Sequence, residues 1–562
     1  MHASNLNHWS APVLLLVGLL LAGSMASAAG VFNVRDHGAK GDGKSLDTAA
    51  INKAVEACAA GGGGKVVLPP GKYLSGTVRL KTDVILYLDA GATLVGSSDL
   101  THYQHFTPPA GTPEARFRST WHRALILADG AERIGLAGPG VIDGNKVFDA
   151  HGEERMRGPH TVLLGNCRDV TIRDLTIRDS ANYAFLFEGC DDVEVRNVRV
   201  TGGWDGVHFR GWKGRPCRRV SILGCQFYTG DDAIAGRYWD DTLISNCILN
   251  SSCNGVRLIG PASRLTIHGC LFYGPGRYEH RSSHRSNMLA AINLQPGGWD
   301  PTEGALDDVL IADVTARHVT TPLHVAVKRG NTAGHITVTR LSASRVNQAA
   351  CSFESWAETA IERVSLRDVS IEYEGKPPAK LPAAIREPGA EARPLPAWGL
   401  YARRVNHLDL DNVRLRHADD ESRTVLLADG VKRLTLRDVP LPRALSTADA
   451  VVLTNVDEVR LVDSPTASAR LRILRLDVKP DETTTRFVAG KPFIAKATVS
   501  GEAPAGLGKV EVTLGEQVRA VWVWVRPGEK KTVEVRGLVA PAAGTHEVRA
   551  GDVRQSITVE KE

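Results

Sequence analysis

After its first thirty residues this chain has no apolar run long enough to cross a membrane, which excludes a multi-span membrane protein. It has no Cys-x-x-Cys pair, so its nine cysteines lack the usual ligand spacing of a zinc site. Net charge is nearly absent. Lys plus Arg number 68 against 63 Asp plus Glu, a formal +5, which makes a mixed-sign surface rather than a polycation and gives no sign of nucleic acid as a partner. The Gly61-Gly62-Gly63-Gly64 run lacks the Gly-Lys-Ser/Thr and the following helix of a phosphate loop, and reads as a turn before the strand VVLPPG. Lys and Arg are also missing from the opening MHASNLNHWS, although an apolar stretch, APVLLLVGLLLAG, and a small-x-small site at Ala26-Ser27-Ala28 follow it. The stretch and the site predict a signal peptide over residues 1–28 and a secreted or periplasmic protein, off the membrane once cleaved. An uncleaved anchor is the alternative.

What is present is a repeat. Two short alternating strands joined by an Asp, Asn or Gly turn recur as VTIRDLTIRDS from Val170, VEVRNVRVTGG from Val193, VSILGCQFYTG from Val220, LISNCILNSS from Leu243 and LTIHGCLFYGP from Leu265. The pattern continues from Val309, Ile336, Val364, Leu408 and Leu434. Successive starts lie 22 to 28 residues apart, except for two gaps of 44 that hold insertions. One such unit cannot bury its apolar face, but stacked units can. The repeat lacks both the fixed Leu and Asn framework of a leucine-rich horseshoe and the four strands per blade of a propeller, so the expected fold is all-β, a single-stranded right-handed parallel β-helix.

Cys167, Cys190 and Cys217 precede successive repeats, and Cys225, Cys247 and Cys270 fall midway through them, at matching offsets that predict two buried ladders of thiols; bridges are the alternative in an exported chain. Residues 46–60, LDTAAINKAVEACAA, place Ile51, Ala54, Val55 and Cys58 on one face with Ser45 or Asp47 as N-cap, a helical lid for the open end of the stack. The insertion from Gly274 to Trp299 carries Arg277, His280, Arg281, His284 and Arg285 and is a candidate cleft wall. The second insertion, Glu374 to Ala397, is rich in Pro and Ala and reads as a surface excursion. Alternating strands after residue 470, such as KVEVTL and VRAVWVWVRPG, suit an immunoglobulin-like β-sandwich. The domains expected are therefore 1–28 signal peptide, 29–470 β-helix and 471–562 sandwich, the last a spacer or a glycan-binding module to be judged by Trp522 and Trp524.

The opening VFNVRDHGAKGDGKSLDTAAINKAVEACAAGGGGKVVLPPGKYLSGTVRLKTDVILYLDAGATL, followed by GPGVIDG at Gly138 and by the coils, resembles polygalacturonase-like proteins, glycoside hydrolase family 28 of the pectin-lyase superfamily. WDGVHF at Trp204 to Phe209 and TGDDAIAG at Thr229 to Gly236 stand where that family has its catalytic motifs. The resemblance implies that Asp205, Asp231 and Asp232 are the catalytic carboxylates, with Asp231 as general acid and the other two activating water. The residues read the same way by themselves. Asp205 and Asp231 are 26 positions apart, about one coil, and crowded carboxylates drive one pKa up to give an acid beside a base. Turn aspartates such as Asp174, Asp313 and Asp368 are the bland alternative.

This sequence departs from the family at several points. Asn254 stands for the family's His, and Gly203 for its Asn before the first motif. The charged substrate-gripping segment is represented by Asn293-Leu294-Gln295. Candidate substrate-binding residues are thus His208, Asn254, Arg257, Arg285, Asn293 and Gln295, with Arg257 a possible relocated cation or an outward strand arginine. The expected activity is inverting hydrolysis of a pectic or related polysaccharide, without metal or cofactor. A lyase on the same fold, with Ca²⁺ held by the carboxylates, and a noncatalytic carbohydrate-binding solenoid are the alternatives.

Overall fold

The computed structural model describes residues 30–347, 349–374, 384–418, 421, 423–441, 449–464, 469–481 and 485–561. The expected signal peptide lies outside them. Among the described residues no helix is long and apolar enough to cross a membrane.

Three parallel sheets run the length of the stack, each strand pairing with its counterpart in the next coil. In the first, Phe185–Glu188 pairs with Val207–Arg210, then Ile234–Arg237, Asn254–Leu258 and Met288–Leu294. The second runs through Asp191–Arg196, Cys217–Leu223, Trp239–Ser245 and Ala262–His268, and the third through Arg199–Thr201, Gln226–Thr229, Ile248–Ser251 and Leu271–Tyr273. From Gly304–Arg317 onward the second and third strands of a coil merge into one long strand.

The punctuating residue of each repeat has a conformational reason. Asp174, Asn197, Gly224, Asn246, Gly269, Asp313 and Asp368 all sit in the left-handed region, with φ between 50° and 64°. Gly, Asn and Asp occupy that region at least cost, so one of them bends each coil between its two strands. Arg340 is an exception at φ 50°, and its guanidinium forks onto Asp313 of the preceding coil at 2.6 and 2.7 Å. Between these turns Ile172, Val195, Ile222, Ile244 and Ile267 stack inside the barrel, fully buried and in register. All nine cysteines are free and buried, among them the six of the two expected ladders.

The N-terminal lid is the helix Thr48–Ala60, which buries the four residues its periodicity marked, Ile51, Ala54, Val55 and Cys58. Asp47 stands at its N-cap without capping it. Its carboxylate instead accepts the backbone N–H groups of Lys40 at 2.7 Å and Gly41 at 3.0 Å, fixing the loop in front of the helix.

Beyond the last coil, two sheets of three and five strands enclose a core of their own, built on Phe493, Val512, Val535 and Val548. One edge of this unit closes the β-helix. Leu507 and Trp524 are buried in the solenoid core, Trp522 packs against it, and Lys531 Nζ lies 2.5 Å from Asp449 Oδ1. The two tryptophans singled out as possible sugar platforms are therefore turned to the last coil. Deleting residues 471–562 is expected to strip that cover. Losing a packed Trp alone costs about 3–5 kcal/mol, so the C-terminal coils should lose amide-exchange protection and the melting temperature should fall. Unchanged exchange in residues 424–462 of the truncated chain would show that the last coil needs no cover.

Candidate active site

The candidate site lies where the chain enters the first sheet, and backbone close approach explains its glycines. A Cβ on Gly230 would meet the carbonyl oxygens of Gly203 at 2.5 Å and Glu279 at 2.9 Å, so the Gly-Asp-Asp turn can nestle against the neighbouring coil and the 274–287 loop only without a side chain there. Gly202 and Gly203, at φ 72° and 75°, make the corresponding bend ahead of Asp205.

The register corrects one expectation. Gly206 N–H donates to Asp232 O at 3.0 Å, and Val207 pairs with Ile234, so Asp205 is aligned with Asp232 and not with Asp231. Asn254 comes next in the same row, because Ala233 N–H donates to its carbonyl at 2.9 Å. Asp231 stands one residue ahead of the row. The coil-to-coil spacing of about 4.8 Å therefore separates the backbones at Asp205 and Asp232, and Asp231 approaches from the side.

Burial separates these residues from turn aspartates. Asp205, Asp231 and Asp232 are 4%, 8% and 4% exposed, whereas the side chains of Asp174 and Asp313 are 37% and 36% exposed. Each of the three has its own set of partners. Asp205 Oδ2 lies 2.6 Å from His208 Nδ1, and the imidazole stacks on Tyr183 with centroids 4.5 Å apart. Asp231 Oδ2 accepts from Arg157 Nη2 at 3.0 Å and faces His280 Nε2 at 3.6 Å; its other oxygen is 3.9 Å from Arg285. Asp232 accepts both the backbone N–H and the Nδ2 of Asn254 at 2.9 Å, and Arg257 Nη1 at 3.3 Å.

These surroundings set the charges. Burial, then the neighbouring Asp231 and Asp232, push the Asp205 carboxyl well above the usual range. Burial would raise Asp231 too, but the His280 contact and the Arg157 charge hold it below that range. His208 is pushed down by burial and by nearby arginines, so its ring stays neutral. His208 Nδ1 and Asp205 Oδ2 share one short hydrogen bond. Burial and the two neighbouring carboxylates favour a proton on Asp205, which alone of the three has no guanidinium bonded to it, whereas the general acid expected from the resemblance is Asp231.

All nine residues marked in the sequence come together here. His208 is buried against Asp205, and Arg257 is buried against Asp232 rather than turned outward. Arg285 stands on the loop foreseen as a cleft wall, where Nε donates to Ser252 O at 2.9 Å. Asn293 and Gln295 hold something unforeseen. They donate to Ala390 O at 3.3 Å and Gly389 O at 2.6 Å, in the insertion read as a surface excursion. Its described part instead lies over the site, with Glu391 3.1 Å from Arg257 Nη1.

Sequence reasoning missed Glu391 and Arg157 and did not give His280 a role. Arg157 packs over the Trp204 ring at 3.7 Å and ties Asp231 to Glu154, yet it lies in a stretch between coils that has no period. The only available signal was the concentration of Arg and His in the 274–299 insertion, which did point to His280.

Two groups could be considered for a cation: Glu154, Asp231 and His280, and Asp231, Asp232 and Cys253. Ca²⁺ takes six to eight oxygen ligands, and these groups offer few, on carboxylates already neutralised by Arg157 and Arg257. This donor set does not fit the calcium site a lyase would want.

Residues 31–111 match the family model described as rhamnogalacturonase A/epimerase, pectate lyase-like, and residues 160–283 match the model of the right-handed β-helix region. The chain is similar to an exo-poly-α-D-galacturonosidase of Dickeya chrysanthemi, 26% identical over 36% of this chain and 41% of that protein. It is also similar to a plasmin- and fibronectin-binding protein of Streptococcus pneumoniae, 31% identical over 30% of this chain and 24% of that one. Among solved structures, an exopolygalacturonase from Thermotoga maritima aligns with a TM-score of 0.48 and 17% identity over 69% of this chain and 92% of that one. The chain spans less than half the length of these curated relatives.

Proposed function

Because the chain is a polygalacturonase-like β-helix protein of the pectin-lyase superfamily, we propose that it is a secreted or periplasmic glycoside hydrolase that cleaves a pectic or related polysaccharide with inversion. The observation that carries this reading is the set of three buried carboxylates gathered at consecutive coil turns, Asp205 in register with Asp232 and Asp231 beside them. Inversion needs an acid at the leaving oxygen and a base that deprotonates water on the opposite face, about 6.5–9.5 Å apart. Asp231 has the most exposed side chain of the three, 12% against 5% and 6%, and is the one that reaches the glycosidic oxygen. Asp205 and Asp232, aligned in consecutive coils, hold and deprotonate the water.

One turnover takes a proton from the acid and leaves one on the base, so a protonated Asp205 beside an ionised Asp231 is the state in which the cleft is left after product departs. Resetting it requires one proton to cross the set, which titrates as a unit. His208, bonded to Asp205, positions that carboxyl. The C-terminal two-sheet unit is read as an immunoglobulin-like module that covers the last coil.

A proton NMR time course of the products tests the proposal. The first-formed anomer should have the configuration opposite to the substrate's. Retention would overturn the mechanism, and an unsaturated product absorbing in the ultraviolet would move the protein to the lyases. The covered cleft favours one further reading, a binding solenoid, which predicts unaltered glycan after long incubation.

A further inference from the structure

The segment lying over the site is held along its length. Lys328 Nζ donates to Pro388 O at 2.6 Å, Gln295 Nε2 to Gly389 O at 2.6 Å, and Asn293 Nδ2 and Arg257 Nη2 to Ala390 O at 3.3 and 3.2 Å. It is anchored beyond the cleft as well. Arg393 forks onto the fully buried Glu354 with two bonds of 2.8 Å, and Leu395 is buried against Tyr401. Glu391 is therefore a fixed part of the site. Its Oε1 is 3.1 Å from Arg257 Nη1, and its Oε2 accepts from Asn254 Nδ2 at 3.1 Å, so the two groups that hold Asp232 also hold Glu391.

We infer that Glu391 sets the charge of the sugar this cleft accepts: by neutralising Arg257 it closes the subsite beside Asp232 to a uronate carboxylate and leaves it to a neutral sugar. The inference rests on the glycoside hydrolase reading of the cleft. Three guanidiniums around Asp231 and Asp232 are already committed. Arg157 is shared between Glu154 and Asp231, Arg257 between Asp232 and Glu391, and Arg285 is spent on Ser252 O and Cys253 Sγ while it stands 3.9 Å from Asp231. A uronate would bring a further carboxylate into this group. Two carboxylates only accept hydrogen bonds and cannot satisfy each other, whereas a sugar hydroxyl can donate to Glu391. With its side chain 32% exposed, Glu391 is within reach of such a hydroxyl. The departure at Asn293-Leu294-Gln295 acts in the same direction, since uncharged side chains there hold the segment in place instead of gripping a substrate carboxylate.

The test compares the full chain with its Glu391→Gln variant, using calorimetry to measure binding of digalacturonate and of its uncharged counterpart galactobiose. The native protein should prefer galactobiose. Glu391→Gln frees Arg257 for one charge-assisted pair, and should raise digalacturonate affinity about tenfold while changing galactobiose binding by no more than about twofold; the gain should shrink in high salt. Glu387→Gln, on the same segment but 3.6 Å from Lys328, should leave the preference as it was. Thermal melting of each variant confirms that it is folded. Unchanged digalacturonate affinity in Glu391→Gln, a native preference for digalacturonate, or no binding of either sugar to either protein would overturn the inference. A tenfold gain without turnover on any polysaccharide would uphold the subsite and remove the hydrolase reading instead.

Discussion

Asp231→Asn is expected to lower turnover on polysaccharide about a thousandfold, within the 10²–10⁴ that a positioned general acid contributes, and to leave the chain folded. The loss should be least on aryl glycosides, whose leaving group departs without a proton. The pH profile should change in a specific way. In the native protein the active form has Asp231 protonated and Asp205 ionised, so activity rises through the lower and falls through the higher pKa of the pair as a unit. Asp231→Asn removes the acid, so the alkaline fall should disappear. What remains is a single rise that follows Asp205 alone; it should lie above the native acidic limb and, because a negative neighbour that pushes Asp205 up is gone, below the native alkaline limb. Stability needs separate attention because Asp231 is buried. Arg157 keeps Glu154 as a partner when Asp231 is neutralised, and relief of repulsion with Asp205 and Asp232 offsets the lost pair. The net change in unfolding free energy should stay within about 2 kcal/mol, the common range for single substitutions. Near-native turnover, or a bell-shaped profile that survives the substitution, would remove Asp231 from the acid's role.

The parts of this molecule that were legible in its sequence are those that repeat. The left-handed turn at Asp174, Asn197 and Asn246 selects among a few residue types, so it leaves a period in the chain. The thiol ladders and the helix face of Ile51, Ala54, Val55 and Cys58 follow from periodicity in the same way. The carboxylates were legible because two short motifs bring their own backbone geometry. The pairing of Asp205 with Asp231 was one residue out, since loop length between strands, which no period records, decides which residue joins the row. Glu391, Arg157 and the covering role of Trp524 were invisible for a common reason. Each reaches its partner across a long loop or between domains, where contact follows from how far a segment folds back and not from any local pattern.

The same reasoning singles out a residue in the loop between strands Ala92–Gly96 and Ala124–Asp129, and Glu114→Ala should be among the most damaging single changes to the fold, at about 3–5 kcal/mol. Glu114 is 1% exposed, in the short turn Pro113–Arg116, and its carboxylate is bonded to the buried Arg237 and lies 3.7 Å from Arg210. Arg237 also bonds Asp300, which takes a second guanidinium from Arg116 at 2.7 Å. The network pins the loop across strands Val207–Arg210 and Ile234–Arg237, the two that follow the turns carrying Asp205 and Asp232. A buried ion pair adds little net stability, because desolvation offsets the attraction; removing one partner leaves the other charge buried without compensation, and that is the source of the large cost. The surface offers an internal control. Arg264 forks onto Asp241 with side chains 53% and 40% exposed, and Asp241→Ala should cost under about 1 kcal/mol. Urea unfolding of the two variants compares them directly, and Glu114→Gln, which keeps an acceptor for Arg237, should fall between. Equal costs for Glu114→Ala and Asp241→Ala would mean that the loop is held by its aromatic packing, Phe117 stacked on Trp121 at 4.7 Å, and not by the buried charges.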